Sequence, residues 1–145
     1  MNDTRVKEIK EFLNTNFSFG PKNIELYNEA LTHSGNNVLP NNQRLAFLGD
    51  VVLELIIRDH YFRAHPDLDR GLLSKECDRL VNQESFAKIA IKLEIVNCMH
   101  IENPPPDFKT NTKINEEVFE ALFGAIYLDQ DLEKATEIAK KLRII

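Results

Sequence analysis

Apolar residues recur at helical spacing along almost the whole chain. Val6, Ile9, Phe12 and Leu13 mark one stripe behind a cap at Asp3 or Thr4, the three- and four-residue period of an amphipathic helix. A second helix is predicted after Pro21, carrying Ile24, Leu26, Tyr27 and Leu31 towards His33. Residues 34–40, rich in Gly and Asn, read as a loop. Residues 42–62 are apolar on most sides, which predicts a buried central helix. Shorter helices are predicted over 72–81 and 83–93. Residues 98–111 contain Pro104, Pro105 and Pro106, which exclude a helix and make a connection. A long apolar helix over 112–128 and a last helix over 132–142 complete the pattern. With no repeat and no two-residue alternation, the fold class is all-α.

Acids break into the two longest apolar runs. In the first, Asp50 and Glu54 lie one helical turn apart. In the second, Glu120 shares a helix face with Glu116 and with Glu117, and the next eight residues carry no charge. Glu116 and Glu117 also read as solvated acids that complement the dipole at a helix start. Glu120 lies a turn deeper, where an unpaired carboxylate is costly and calls for a partner or a cation. A hard cation such as Mg²⁺ takes oxygen ligands and keeps several waters, so one carboxylate from each of two packed helices can fix it. Such an ion polarises a phosphodiester and activates water, and no Ser, Cys or His nucleophile is then required. Asp50 and Glu120 are the candidate catalytic pair. A glycine costs a helix about 1 kcal/mol, so Gly49 and Gly124, so near these acids, point to a close helix crossing.

The run Asn42-Gln43-Arg44-Leu45-Ala46-Phe47-Leu48-Gly49-Asp50 resembles the signature helix of the ribonuclease III endonuclease domain, usually Asn-Glu-Arg-Leu-Glu-Phe-Leu-Gly-Asp. Glu117 to Ala125 resembles its second signature, Asp-x-x-Glu-Ala-Leu-x-Gly-Ala. Ala30-Leu31-Thr32-His33-Ser34 and Gly71-Leu72-Leu73-Ser74 are similar to two further family segments. Gln43, Ala46 and Arg70 stand where the family usually has acids. The resemblance implies a single endonuclease domain over residues 1–145. It further implies Mg²⁺ held by Asp50, Glu117 and Glu120, with Mn²⁺ able to substitute and Glu54 a weaker ligand. The implied reaction is cleavage of double-stranded or structured RNA to 5′-phosphate and 3′-hydroxyl ends. The family phenylalanine matching Phe47 inserts into a twofold partner, which implies a homodimer. The chain stops where most members continue into a double-stranded-RNA-binding domain, an expectation shared with the compact Mini-ribonuclease III branch.

A net charge of -5 changes this picture, because phosphate contacts need Lys and Arg. The candidate RNA contacts are Arg44, Lys109 and Lys113, with Arg70 and Lys75 behind them. Neither a membrane span nor a signal-peptide layout is present, and Cys77 and Cys98 lack metal-ligand spacing. A cytoplasmic protein with free thiols is the expectation. His33 reads as a structural helix-end residue, and His60, His65 and His100 as surface. Loss of three family acids keeps two alternatives open. One is an inactive RNA-binding or ribonucleoprotein component, the other an all-α core whose acids are purely structural.

Overall fold

A computed structural model describes residues 1–145, and its helix boundaries follow the placement of Asn and Asp. In chain order the helices are α1 (Asp3–Phe17), α2 (Ile24–Ala30), α3 (Gln43–Ala64), α4 (Arg70–Asp78), α5 (Gln83–Lys92), α6 (Thr112–Asp129) and α7 (Leu132–Lys141). All but α3 start behind an Asn or Asp whose side chain accepts a first-turn N–H. The Ile114 amide, for example, donates to Asn111 Oδ1 at 3.0 Å. Each such cap contributes about 1 kcal/mol. Short 3₁₀ turns cover Ser34–Asn36 and Ile95–Cys98. The only β interaction is an isolated bridge between Thr32 and His100.

The all-α expectation holds, with three local corrections. Asn2, rather than Asp3 or Thr4, caps α1. Asp69 caps α4 and starts it two residues before the predicted 72, and the amides of Leu80 and Val81 both turn back to the Cys77 carbonyl, ending it early. The third correction concerns which helix is central. α6 is buried on nearly every side from Val118 to Ile126, whereas α3 is buried on one side and exposes Phe47, Val51, Leu55 and Phe62 on the other. A run that is apolar on most sides therefore does not bury most sides within this chain.

The core runs from Ile9 to Ile144. On one flank of α6, Phe86 of α5 stacks on Phe119 with ring centroids 5.5 Å apart. At its C-terminal end Asp129 ties α2 down. The Tyr27 hydroxyl donates to it at 2.7 Å, and the Lys22 and Asn23 amides donate at 3.1 and 2.6 Å. Burial raises the Asp129 carboxyl, but hydrogen bonds from Gln130, Tyr27 and the two amides outweigh it and hold it below the usual carboxylate range. The same contact and burial push the Tyr27 phenol upward. Cys77 and Cys98 are buried and unbridged, and no helix is long and apolar enough to cross a membrane.

The most extensive helix pair is α3 with α6, and it is a backbone contact. A Cβ on Gly49 would run into the Glu120 carbonyl and sit 2.9 Å from the Gly124 nitrogen. One on Gly124 would meet the Leu45 carbonyl and stand 3.2 Å from the Gly49 nitrogen. Backbone atoms of two packed helices cannot step aside as side chains do. Gly49→Ala is therefore expected to destabilise the protein by roughly 2–3 kcal/mol, although alanine favours helix by about 1 kcal/mol. Chemical denaturation measures this, and unchanged stability would contradict the close crossing.

Candidate functional site

The glycine contact sets where the acids fall. Asp50 follows Gly49 on α3, and the carbonyl against Gly49 is that of Glu120 itself. Gln43, Ala46 and Asp50 share a face of α3 at three- and four-residue spacing. Glu120 is 7% exposed and has both Asp50 and Glu116 within side-chain hydrogen-bonding reach. Asp50 is exposed and Glu116 half-buried, so the group opens to solvent on one side.

No basic side chain offsets these charges. Desolvation first, then hydrogen bonding to Asp50 and Glu116 and their charges, pushes the Glu120 carboxyl up to about 10. In the metal-free protein Glu120 thus carries a proton at neutral pH and can share it with a neighbouring carboxylate. No group of three or more acids, histidines or cysteines is placed to hold a metal ion. Two carboxylates from facing helices nevertheless match an ion that takes one or two protein ligands and keeps its waters. The donor set, all oxygen and all acidic, fits Mg²⁺ or Mn²⁺ and not a soft metal.

The other predicted residues divide. Glu117 lies on α6 but is engaged elsewhere: its Oε2 accepts from Gln43 Nε2 at 3.1 Å, and Lys113 Nζ stands 4.0 Å from Oε1. Glu54 is held by Arg58 at 2.9 Å, one turn along α3. Glu116, absent from the family signature, is the α6 acid beside Glu120, and its four-residue spacing from Glu120 is visible in the sequence. Ala46, where the family pattern has an acid, is buried. Arg70 and Lys75 lie exposed on α4. His33 is structural as expected, its Nδ1 accepting from the Gly35 amide at 3.0 Å.

Among the RNA-contact candidates, Arg44 is exposed on the first turn of α3. Lys109 lies 6.0 Å from the Phe108 ring centroid. Lys113 is 75% exposed, and its ion pair with Glu117 is correspondingly weak. Phe47 is 81% exposed, so it is not core. Beside it opens a cavity of about 550 Å³ lined by Leu26, Leu45, Leu48 and Leu128 among others. Knob and socket thus share one surface.

The Ribonuclease-III-like family model matches residues 23–144. The Ribonuclease 3 of Nitratiruptor sp. is 41% identical over 140 residues, covering 94% of this chain and 61% of that protein. The Ribonuclease 3 of Pelotomaculum thermopropionicum is 42% identical over 124 residues, covering 80% of this chain and 52% of that protein. This chain therefore spans little more than half the length of these relatives. A solved nuclease domain of Campylobacter jejuni ribonuclease III, described for flexibility in a region involved in dimer formation, superposes with a TM-score of 0.84 at 34% identity. The match covers 91% of this chain and 94% of that one.

A raised carboxyl pKa is also a stability statement. A folded pKa above the unfolded one contributes stability that is full below the unfolded value and is lost as pH rises towards the folded value. Metal-free protein is therefore expected to melt at lower temperature at about pH 9 than at about pH 5, and Glu120→Gln to flatten that slope. Thermal melts in chelator across this range provide the check. An unchanged slope in the variant would remove Glu120 as its source.

Proposed function

This chain belongs to the ribonuclease III family, and on that premise we propose that it is a Mg²⁺-dependent endoribonuclease. Its substrate is double-stranded or structured RNA, cut to 5′-phosphate and 3′-hydroxyl ends, and it works as a homodimer. The observation that carries this reading is Glu120: a buried carboxylate facing two others with no basic partner. Such an arrangement costs stability unless something positive is bound there. The relatives named Ribonuclease 3 support the choice of RNA.

Asp50 and Glu120 would hold the ion, with Glu116 as a third acid beside them and Glu117 at the rim. When bound, the ion supplies positive charge that polarises the phosphodiester and acidifies water. Glu120 gives up its proton as the cation arrives, so binding strengthens with pH. Asp50, exposed at the mouth, sets the side from which the substrate approaches. Gln43 keeps Glu117 outside the set until one of its oxygens is released. Arg44 lies on the first turn of α3, and Lys109 and Lys113 flank the start of α6; we assign all three to the RNA backbone.

An inactive RNA-binding component draws support from one specific observation. Gln43 donates an amide N–H to Glu117 where the family pattern has a further acid. Long duplex RNA incubated with purified protein in Mg²⁺, Mn²⁺ or chelator separates the two. Cleavage is expected only with metal, and Asp50→Asn or Glu120→Gln should lower it by more than about a hundredfold, since even residues behind metal ligands cost ten- to a hundredfold. Binding without cutting in either metal would favour the inactive component.

For the dimer, Phe47 and the adjacent socket suit an isologous contact, in which one patch meets its own copy. The region noted for dimer formation in the Campylobacter jejuni domain lends this support. Sedimentation at micromolar concentration is expected to give a dimer, and Phe47→Ala a monomer of unchanged helicity, because an exposed ring contributes little to its own fold. A wild-type monomer would end the dimer proposal.

A further inference from the structure

The ends of α5 and α7 meet in a groove of about 570 Å³ bordered by Lys88, Lys92, Lys141 and Arg143. Lys88 and Lys92 are four apart on one face of α5, Lys141 ends α7, and Arg143 follows two residues on. All four are exposed. None of them joins an ion pair; Lys141 donates only to Ser18 Oγ, at 2.8 Å. In a chain of net charge -5, four cations at one place without an acid between them concentrate positive potential.

Basic residues near helix C-termini have an ordinary explanation, since they complement the helix dipole. Each terminus, however, carries only about half an elementary charge. Two termini offset about one of the four cations, and a clear surplus remains. The like charges of Lys88 and Lys92 also work against α5 itself. At the floor of the groove Ile89, Leu93 and Leu142 are half-buried and packed on the core. Around that apolar floor the rim offers unpaired positive charge.

We infer that the α5–α7 groove is a second RNA contact, holding backbone phosphates away from the cutting site. It shares no residue with the Asp50, Glu116 and Glu120 group, which lies between α3 and α6. The inference rests on the reading that RNA is the substrate. It answers how an acidic domain whose cleft repels phosphate keeps hold of a polyanion.

Fluorescence anisotropy with duplex RNA, in Ca²⁺ to suppress cutting, measures affinity against salt. Lys88→Gln with Lys92→Gln is expected to lower the salt slope by about two, and addition of Lys141→Gln and Arg143→Gln by about two more. The matched control, Lys7→Gln with Lys10→Gln on α1, removes equal charge and should leave the slope nearly unchanged. In Mg²⁺ the groove variants should raise KM and leave kcat alone, because they touch no reacting group. Circular dichroism confirms that each variant is folded. Equal losses from the groove and control pairs, or none from the groove, would overturn the inference. So would wild-type protein that ignores RNA and binds vesicles of anionic lipid instead. If wild-type protein binds RNA with the expected slope but never cuts, the catalytic reading fails and the groove stands.

Discussion

The contact between Gly49 and Gly124 is the constraint on which the rest depends. It brings two helix backbones together so tightly that a single Cβ on either residue would meet carbonyl oxygen. Because the contact is backbone to backbone, it fixes both the separation of α3 and α6 and their rotation about their own axes. Rotation decides chemistry here. With Gly49 against the Glu120 carbonyl, Asp50 comes within reach of the Glu120 carboxyl, and Glu116 follows one turn away on α6. Leucines at the crossing would separate the helices and leave the acids facing water singly.

Holding three carboxylates together works against folding, so stability must come from elsewhere in the domain. The aromatic packing of Phe86, Phe119 and Phe123 supplies part of it. Asp129 shows the opposite treatment of a carboxylate on the same helix. It receives a hydroxyl, a side-chain amide and two backbone amides, and is held in its charged form. Glu120 receives no such donor and is held protonated. The contrast between two partly desolvated acids separates a carboxylate satisfied by donors from one that has none.

Helix content and order were legible in the sequence because apolar period and Asn or Asp caps act locally. That Asp50 and Glu120 come within reach of each other was legible too, through two motifs and two glycines. The choice between Glu116 and Glu117 was not, since both satisfy helical spacing to Glu120 and only the rotation of α6 separates them. Nor could periodicity tell that Phe47 is bare: α3 is apolar on most sides, and sequence carries no mark of which side this chain itself covers. The basic groove was out of reach for a third reason. Lys88 and Lys141 lie on separate helices more than 50 positions apart in the chain, and only tertiary packing makes them neighbours.

The departures from the family pattern now acquire physical content. Ala46 is buried beside the crossing, so a glutamate there would add a further desolvated charge to a group already crowded with them. Gln43 replaces an acid by a neutral amide, and that amide satisfies Glu117 instead of repelling it. Both changes lower the charge that a metal-free fold must tolerate. For the proposed ion the same changes leave fewer oxygens, so metal affinity and metal-free stability would pull in opposite directions at this site. In that proposal Glu116 would offset part of the loss from the facing helix, restoring an acid without placing one at the tightest point of the α3–α6 contact.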